Sequence, residues 1–359
     1  MLLLPIVLLF MIWLWPVIWF RLIREKLQVE VAITRNVVAI NEAIPVKIQI
    51  HNASWLPCPK VSLFLSLPEG LSVEKEDDHA RFEYQTFLLG KQSLTLETVI
   101  YGKKRGLQNF SNGSVSIGLN EGFGLRNLFI GGKMSQELVV LPDLIDINAY
   151  SFESKDWLGK MEQRRWILPD ETMFSGIREY AAGDEFRHVA WKASARTGVW
   201  QTKTFFGSTD WDVVILLNAQ FFDQYWSGTL TDEFDYLSSV VCSWAYELQK
   251  RGAKIHLATN AMLSNHPQTI WHGELLAHQL RHLFGRVYPY ANQSIEKLTE
   301  VAASHLKNRE MVMVFSSYAS TEVLQHLSTL ARSGHALYWI NGKKQRVNLD
   351  GYPEIQRII

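Results

Sequence analysis

The sequence predicts a multi-domain protein with an N-terminal transmembrane helix, an antiparallel β-sandwich of immunoglobulin-like type and a doubly wound α/β domain. Three observations carry this prediction. Residues 2–20 contain no charged side chain, apolar and polar residues alternate between 28 and 141, and apolar strands alternate with helical stretches after Pro142. The proposed division is a transmembrane anchor (1–24), a β-sandwich domain (25–142), a connecting segment (143–209), an α/β domain (210–345) and a C-terminal tail (346–359).

The apolar N-terminal run has the length and flanks of a membrane anchor. A helix needs about 20 apolar residues to cross the hydrocarbon core, and residues 2–20 supply them. No Lys or Arg precedes the run, and bulky Trp19 and Phe20 close it, unlike a signal peptide. Basic residues follow at once, which places the bulk of the chain in the cytoplasm. We expect a single-pass protein of the inner (cytoplasmic) membrane that contacts the bilayer through residues 1–20; a buried apolar arm or a cleaved signal stays open.

Composition argues against several functional classes. Lys plus Arg and Asp plus Glu both total 36, so the whole chain has no net field that attracts nucleic acid. Cys58 and Cys242 stand far apart without metal-ligand spacing, and are expected to be reduced, buried thiols. The sequence contains neither a phosphate-binding G-x-x-x-x-G-K-[ST] loop nor a G-x-S-x-G nucleophile elbow. No catalytic residue and no cofactor is therefore predicted.

The predicted β-sandwich rests on alternation with period two. Its clearest alternating sets are Val29, Val31 and Ile33; Val46, Ile48 and Ile50; and Val61, Leu63 and Leu65. Turn-like clusters at 52–54, 68–70 and 112–113 separate the strands at the spacing of an antiparallel sandwich.

The second half of the sequence alternates buried strands with amphipathic helices. Strands are predicted at 211–218, 253–259, 310–316 and 335–340. Helices are predicted at 231–251, where Gly252 ends the helix, and near 274–285, 293–307 and 320–333. This order predicts a doubly wound sheet.

The run from Phe174 to Phe206 joins the two patterns. Asp184 is predicted to cap a helix that begins at Glu185, with Gly198 as its left-handed stop. The apolar face of this predicted helix comprises Phe186, Val189, Ala190 and Ala193.

The same run carries a family resemblance. Its marked residues are Arg178, Glu179, Tyr180, Gly183, Asp184, Arg187, Trp191, Ser194 and Arg196, the last three within W-K-A-S-A-R. This pattern resembles the prokaryotic family called domain of unknown function 58. Supporting matches are Arg105-Gly106, the run 121–125 (EGFGL) and Leu141-Pro142. A membrane hairpin usually precedes the β domain in that family, whereas this sequence has one evident span.

The resemblance implies a fold and a role. It implies that the α/β domain is von Willebrand factor A-like, a Rossmann-like fold, and that the protein works beside MoxR-type AAA+ ATPases. We therefore expect a membrane-anchored, non-enzymatic adaptor that contacts such an ATPase or its client protein. The marked residues then either form an interaction surface or clamp the interdomain helix structurally.

The resemblance also indicates where a metal site would lie. A von Willebrand A domain opens its metal site with D-x-S-x-S after the first strand, where this chain has Asn218, Gln220 and Phe222. Mg²⁺ normally takes carboxylate ligands, and Ser316-Ser317-Tyr318 supplies none after the later strand. The sequence predicts a degenerate site without metal.

Two other functions stay open. His278 and His282 stand at i and i+4 on a predicted helix, the spacing at which two imidazoles reach one zinc ion. They suggest a metal-dependent hydrolase, although Gln279 cannot act as the general base. An extracytoplasmic adhesion module would need the reverse membrane topology.

Overall fold

The computed structural model describes residues 14–15, 18–19, 21–23, 26–75, 81–109, 115–119, 137–147, 169–207, 211–263, 270–307, 310–343 and 347–358. The chain divides into two compact units. The first comprises residues 1–143 with 281–287, and the second comprises residues 144–280 with 288–359. The run 121–125 and the turn 112–113 lie outside the described residues.

The described residues of the first unit form ten strands. They are β1 (Leu27–Ile33), β2 (Val37–Ala39), β3 (Ala43–Asn52), β4 (Cys58–Ser66), β5 (Leu71–Ser72), β6 (Arg81–Leu88), β7 (Ser93–Gly102), β8 (Gly106–Asn109), β9 (Val115–Leu119) and β10 (Glu137–Leu141). They form sheets of order β1-β3-β7-β5, β6-β4-β9 and β2-β10-β8. The first two sheets are antiparallel, whereas β2 runs parallel to β10.

The predicted alternation is the burial pattern of these strands. In β3, Ile44, Val46, Ile48 and Ile50 are buried and their neighbours are more exposed. Leu63 of β4, which belongs to another sheet, lies in the same hydrophobic cluster. The two sheets therefore pack face to face, as a sandwich does.

The buried side chains of the described residues include two thiols and an arginine. Cys58 and Cys242 are both buried thiols, as predicted, and burial raises the pKa of Cys58 to about 11. In the first unit, the guanidinium of Arg105 donates hydrogen bonds to the carbonyls of Phe284 and Val287, at 2.7 and 2.9 Å. The following Gly106 has a φ of 127°, a conformation that favours glycine.

The predicted N-terminal transmembrane helix is wrong. Within the described part of the chain, no helix is both long and apolar enough to cross a membrane. Residues 1–13 of the predicted anchor lie outside the described residues. Trp19 and Ile23, which follow them, are buried in the core of the β unit beside Leu27. Their apolar character reflects packing against the β strands.

The second unit begins with a hairpin and continues as a layered α/β domain. Its elements start with β11 (Pro169–Glu179), a 3₁₀ turn (Phe186–His188), α1 (Trp191–Thr197), β12 (Gln201–Gly207), β13 (Trp211–Leu217), α2 (Thr231–Lys250), β14 (Ala253–Thr259), β15 (Ala261–Leu263) and β16 (Trp271–Glu274). They continue with α3 (Ala277–Phe284) and β17 (Val287–Ala291), of which residues 281–284 and Val287 fall in the first unit. The remaining elements are α4 (Ile295–His305), β18 (Met311–Phe315), α5 (Thr321–Arg332), β19 (Ala336–Ile340) and β20 (Ile355–Ile358).

The central sheet has the order β16-β14-β13-β18-β19-β20. All neighbours pair in parallel except β16, which runs antiparallel to β14. Numbered along the chain, this order is 3-2-1-4-5-6, a doubly wound sheet. The predicted tail (346–359) contains β20, so that Ile355–Ile358 belong to this sheet.

The strands and helices of this sheet bury one another. All five residues of β18 are buried, as expected for a parallel strand covered on both faces. Serine side chains cap two of the following helices: Ser294 accepts from Lys297 N at α4, and Ser320 accepts from Val323 N at α5. Gly252 follows α2 with a φ of 84°, in agreement with the predicted stop.

The position of Ile23 in the β core is testable. Ile23→Ala removes a fully buried side chain, whereas the neighbouring Leu22 is 49% exposed. We expect Ile23→Ala to lower the free energy of unfolding of the first unit by about 2–4 kcal/mol. Urea unfolding measures the change, with Leu22→Ala as the matched control. Equal, small effects of both substitutions would contradict this packing.

Candidate functional site

The carboxyl edge of the central sheet is the first candidate site. Strands β13 and β18 are neighbours there, and the chain order reverses between them, which is where open α/β sheets bind ligands. Asn218 follows β13, Asn260 follows β14 and Ser316 follows β18, and all three side chains are buried. The sheet therefore brings polar groups from three loops to one point.

Asn218 is the centre of this group. Its Nδ2 donates to Gln220 O and to Ser316 Oγ, each at 2.8 Å. Its Oδ1 accepts from Gln220 N at 3.0 Å and from Asn260 Nδ2 at 2.8 Å. An amide offers two donors and a carbonyl oxygen with two lone pairs, so these four bonds saturate it.

The neighbouring amides extend the network to further loops. Asn260 Oδ1 accepts from Ala219 N at 2.8 Å, and Asn260 Nδ2 also donates to Gln293 O at 2.9 Å. Gln220 Oε1 accepts from Ile295 N at 2.8 Å, and Gln220 Nε2 donates to backbone carbonyls of its own loop. The loops after β13, β14 and β17 are thereby held together by side-chain amides.

A buried carboxylate lies at the same edge. Glu233, on α2, accepts a hydrogen bond from Ser317 Oγ at 3.0 Å and is almost fully buried. A Cβ at position 342 would lie 2.0 Å from both Glu233 Oε1 and Ser317 Oγ, so only glycine fits there. Gly342 follows β19, and thus a fourth strand end contributes to this packing.

These contacts give the residues of the predicted degenerate metal site a structural role. Asn218 and Gln220 use their amide atoms to hold protein loops, and Phe222 lies at the surface. In the described ranges, no group of three or more His, Cys, Asp or Glu side chains is placed to hold a metal ion. The edge is thus a hydrogen-bonded structural centre.

A pocket of about 490 Å³ opens beside this network. Its lining residues are Phe221, Phe222, Asp223, Gln224, Ser227 and Tyr318, and we call it the edge pocket. Burial and the nearby Asp223 carboxylate, which accepts a hydrogen bond from the Tyr318 hydroxyl, raise the pKa of Tyr318. The tyrosine therefore stays protonated across the physiological pH range.

The marked residues of Phe174–Phe206 form a second candidate site. Strands β11 and β12 pair antiparallel, so that Arg178 lies opposite Thr202 and Glu179 opposite Gln201. In sequence, helix α1 comes between these two strands. Ala190 N, just before the helix, donates a hydrogen bond to Gln201 O of β12 at 2.8 Å. The motif thus folds into a compact hairpin with a helical insert.

An ion pair fixes the turn after β11. Arg178 donates to both carboxylate oxygens of Asp184, at 2.6 and 2.8 Å, and Ala181 N donates to the same carboxylate. The Arg178 hydrogen bonds hold the pKa of Asp184 below its usual range. Gly183 adopts a φ of 110° within this turn, and Tyr180 Oη donates to Asp184 O.

The predicted helix from Glu185 to Gly198 is only partly correct. The chain forms a 3₁₀ turn at Phe186–His188 and then α1 from Trp191, while Val189 is extended. Asp184 caps neither element, because Arg178 and Ala181 N use its carboxylate. Gly198 ends α1 with a φ of 73°, as predicted.

Ser194 locks α1 onto the hairpin. Its Oγ donates to Ala190 O at 3.0 Å and accepts from Gln201 N at 2.9 Å. Val189 and Ala190 are buried beneath the helix, whereas Phe186, predicted on the same apolar face, is 57% exposed. Arg187 pairs with Glu185, and Glu179, Lys192 and Arg196 lie on the surface.

Four rings form what we call the aromatic cluster: Tyr180, Phe186, Trp191 and Trp200. Phe186 lies 5.2 Å from Trp200 and 5.7 Å from Trp191, and the two tryptophans are 5.7 Å apart, measured between ring centroids. Trp191 and Trp200 are nevertheless 60% and 49% exposed. Phe186 and Trp200 were not predicted as interaction residues, since their proximity depends on strand pairing.

The two histidines of the predicted zinc helix lie on α3. His278 and His282 are both exposed. The structure brings no third metal ligand to them within the described residues. Their arrangement is that of residues on a solvated helix surface.

Comparison with known families identifies the second half of the chain. A family described as protein of unknown function DUF58 matches residues 176–344. This match covers the whole aromatic cluster, the carboxyl edge and the edge pocket. Residues 176–344 therefore belong to that family, and the resemblance seen in the sequence is confirmed.

Other comparisons are weak. No curated protein matches the chain. Among solved structures, the CARDB domain of a Pyrococcus furiosus protein in complex with di-metal ions is 13% identical, with a TM-score of 0.22; the match covers 32% of this chain and 91% of that one. Alkylpurine DNA glycosylase AlkC of Pseudomonas fluorescens is 12% identical, covering 32% and 30%, with a TM-score of 0.20.

The hydrogen bonds of Asn218 predict how a negative charge at this position would change the stability of the fold. In Asn218→Asp, the carboxylate cannot donate to Ser316 Oγ or Gln220 O, and its burial disfavours the charged form. We expect a loss of about 3 kcal/mol in the free energy of unfolding at pH 7.

The loss should be smaller at pH 4. Burial raises the folded-state pKa of the new carboxyl, so its destabilising effect grows as the pH rises above the unfolded-state value. Urea unfolding at both pH values measures this. Asn348→Asp is the control, because the exposed Asn348 only accepts from Asp350 N, as a carboxylate also can. A stable, pH-independent Asn218→Asp variant would contradict the network.

The ion pair of the motif predicts a titration change. Without the Arg178 guanidinium, the pKa of Asp184 should rise toward its ordinary value in Arg178→Gln. Since the folded-state pKa of Asp184 is lowered, its stabilisation is present above the unfolded-state pKa and is lost as the pH falls through the folded-state value. A ¹³C-carboxyl NMR titration measures the shift, with Arg196→Gln as control. An unchanged Asp184 titration in Arg178→Gln would disprove the pairing in solution.

Proposed function

We propose that this chain is a non-enzymatic adaptor whose aromatic cluster docks onto a protein partner. The observation that carries the proposal is the exposure of Trp191, Trp200 and Phe186, three large rings that pack on one another at the surface of the DUF58 region. Large exposed apolar patches in folded proteins mark interaction sites. Tryptophan and tyrosine also dominate the binding energy of protein interfaces.

The cluster is preorganised for binding. The Arg178–Asp184 ion pair fixes the turn that carries Tyr180, and Ser194 fixes the helix that carries Trp191. Rings that are already ordered lose little conformational entropy when a partner covers them. Rigid presentation of exposed aromatic side chains supports a docking function.

Family resemblance supports the choice of partner. We infer that the partner is an AAA+ ATPase of the MoxR type or the client of such an ATPase. In support, the sheet order 3-2-1-4-5-6 is that of a doubly wound, Rossmann-like sheet, the class of fold expected of a von Willebrand A-like domain. An ATP-consuming partner would place the two units in the cytoplasm.

Direct binding tests the proposal. The full chain is used to capture proteins from a lysate with nucleotide present, and any AAA+ ATPase or client identified by mass spectrometry is then purified and titrated calorimetrically. We expect Trp191→Ala and Trp200→Ala each to weaken binding by at least about tenfold, because central interface tryptophans contribute 2 kcal/mol or more.

A surface tryptophan of the first unit supplies the control. Trp55 is 74% exposed and lies outside the aromatic cluster, so Trp55→Ala should bind like the wild type. Wild-type affinity in both cluster variants, or failure to capture any ATPase or client, would refute the adaptor function.

A further inference from the structure

We propose that the edge pocket binds the cationic head of an arginine or lysine side chain presented by a protein partner. The pocket and the aromatic cluster are built from different residues, so this site stands independently of the docking function proposed for the cluster. The inference rests on three observations: the ring lining, the single carboxylate and the charge of the surrounding loops.

Aromatic rings form the apolar part of the edge pocket. Phe221 is buried at its base, whereas Phe222 is 38% exposed. Gly228 lies beside the Phe222 ring, since a Cβ there would be 3.9 Å from Phe222 Cε2. Guanidinium and ammonium groups are attracted to the faces of such rings. The alkyl stem of an arginine or lysine side chain also packs well on them.

The one charged side chain that lines the pocket is Asp223. Its carboxylate is exposed and takes a hydrogen bond from Tyr318, leaving further lone pairs for a ligand. Among the described residues, no Lys, Arg or His pairs with Asp223. A guanidinium can satisfy such a carboxylate with two parallel hydrogen bonds.

The two segments that supply the lining of the edge pocket carry no basic side chain. Segments 218–233 and 316–322 contain Asp223, Asp232, Glu233 and Glu322, whereas Lys297 and Lys343 stand in the neighbouring segments after β17 and β19. Lys297 pairs with Glu300 at 2.9 Å. Helices α2, α4 and α5 point their amino ends at this edge, and each contributes about half a positive charge. Asp223 is the one charged side chain that lines the pocket, and it favours a cation as ligand.

The buried network also affects the charge that a ligand must carry. This charge is opposite to the charge of a ligand at a sheet edge that holds a metal ion. A bound divalent cation would attract an acidic group of a partner. Here the amides of Asn218 and Gln220 are occupied by protein atoms, so the ligand meets Asp223 and the rings directly. The partner must then supply the positive charge.

Short peptides test the site without a known partner. The full chain is titrated with acetyl-Gly-Gly-Arg-Gly-Gly-amide, and with the Lys and Glu versions, followed by NMR shifts of the Tyr318 and Phe222 rings. We expect the Arg and Lys peptides to bind and the Glu peptide and inorganic phosphate not to bind. Added salt should weaken the binding, since an exposed ion pair is screened.

Variants locate the binding. Asp223→Asn and Phe222→Ala should each weaken Arg-peptide binding by about fivefold, because exposed ion pairs and cation–π contacts contribute about 1 kcal/mol each. Both positions are exposed, so the fold should be kept, and circular dichroism checks it. Asp350→Asn, at an exposed carboxylate of the loop that precedes β20, is the matched control and should bind normally.

Three outcomes of the peptide titrations would overturn the inference. They are absence of Arg-peptide binding, equal binding of the Glu peptide or phosphate, and equal affinity of Asp223→Asn and the wild type. Trp191→Ala should leave Arg-peptide binding unchanged, so failure here and failure of the docking function of the aromatic cluster are distinguishable. Methylguanidinium alone should bind more weakly than the peptide; equal affinity would indicate a free cation as ligand and refute a partner side chain.

Discussion

The carboxamide of Asn218 is satisfied by four hydrogen bonds, and the arrangement of the carboxyl edge depends on them. A buried polar group must find partners within the protein, and this one finds them in the loops after β13, β14 and β18. A neutral amide can donate and accept at once, whereas a carboxylate at the same position could only accept. The edge is therefore held together by neutral groups, and the charged Asp223 stays at the surface.

In the DUF58 motif, charged side chains at the surface hold the turn, and apolar rings also stay exposed. The hydrogen bonds between Arg178 and Asp184 hold the turn after β11, and the hydroxyl of Ser194 joins α1 to β12. Trp191 and Trp200 contact each other and Phe186 while keeping about half of their surface exposed. The polar residues of the motif thus stabilise its fold. This fold positions the aromatic residues for contact with another molecule.

Regular elements could be predicted from the sequence and long-range contacts could not. The strand predicted at 310–316 is Met311–Phe315, because a buried parallel strand leaves a continuous apolar run. Trp19 and Ile23 misled the membrane prediction, since a bilayer and a β core favour the same side chains. Asp184 is a good helix cap by local preference, but Arg178 competes for it. The role of Asn260 depends on a partner 42 positions away.

The crowding at Gly342 ties together three positions that are far apart in the chain. Glu233 and Ser317 occupy the space that any side chain at 342 would need. A larger residue at 342 becomes tolerable only when both position 233 and position 317 give up the side-chain oxygen that fills this space. In evolution these three sites are therefore expected to change as a set, so that covariation between them would report the contact even where the sequence around them has diverged.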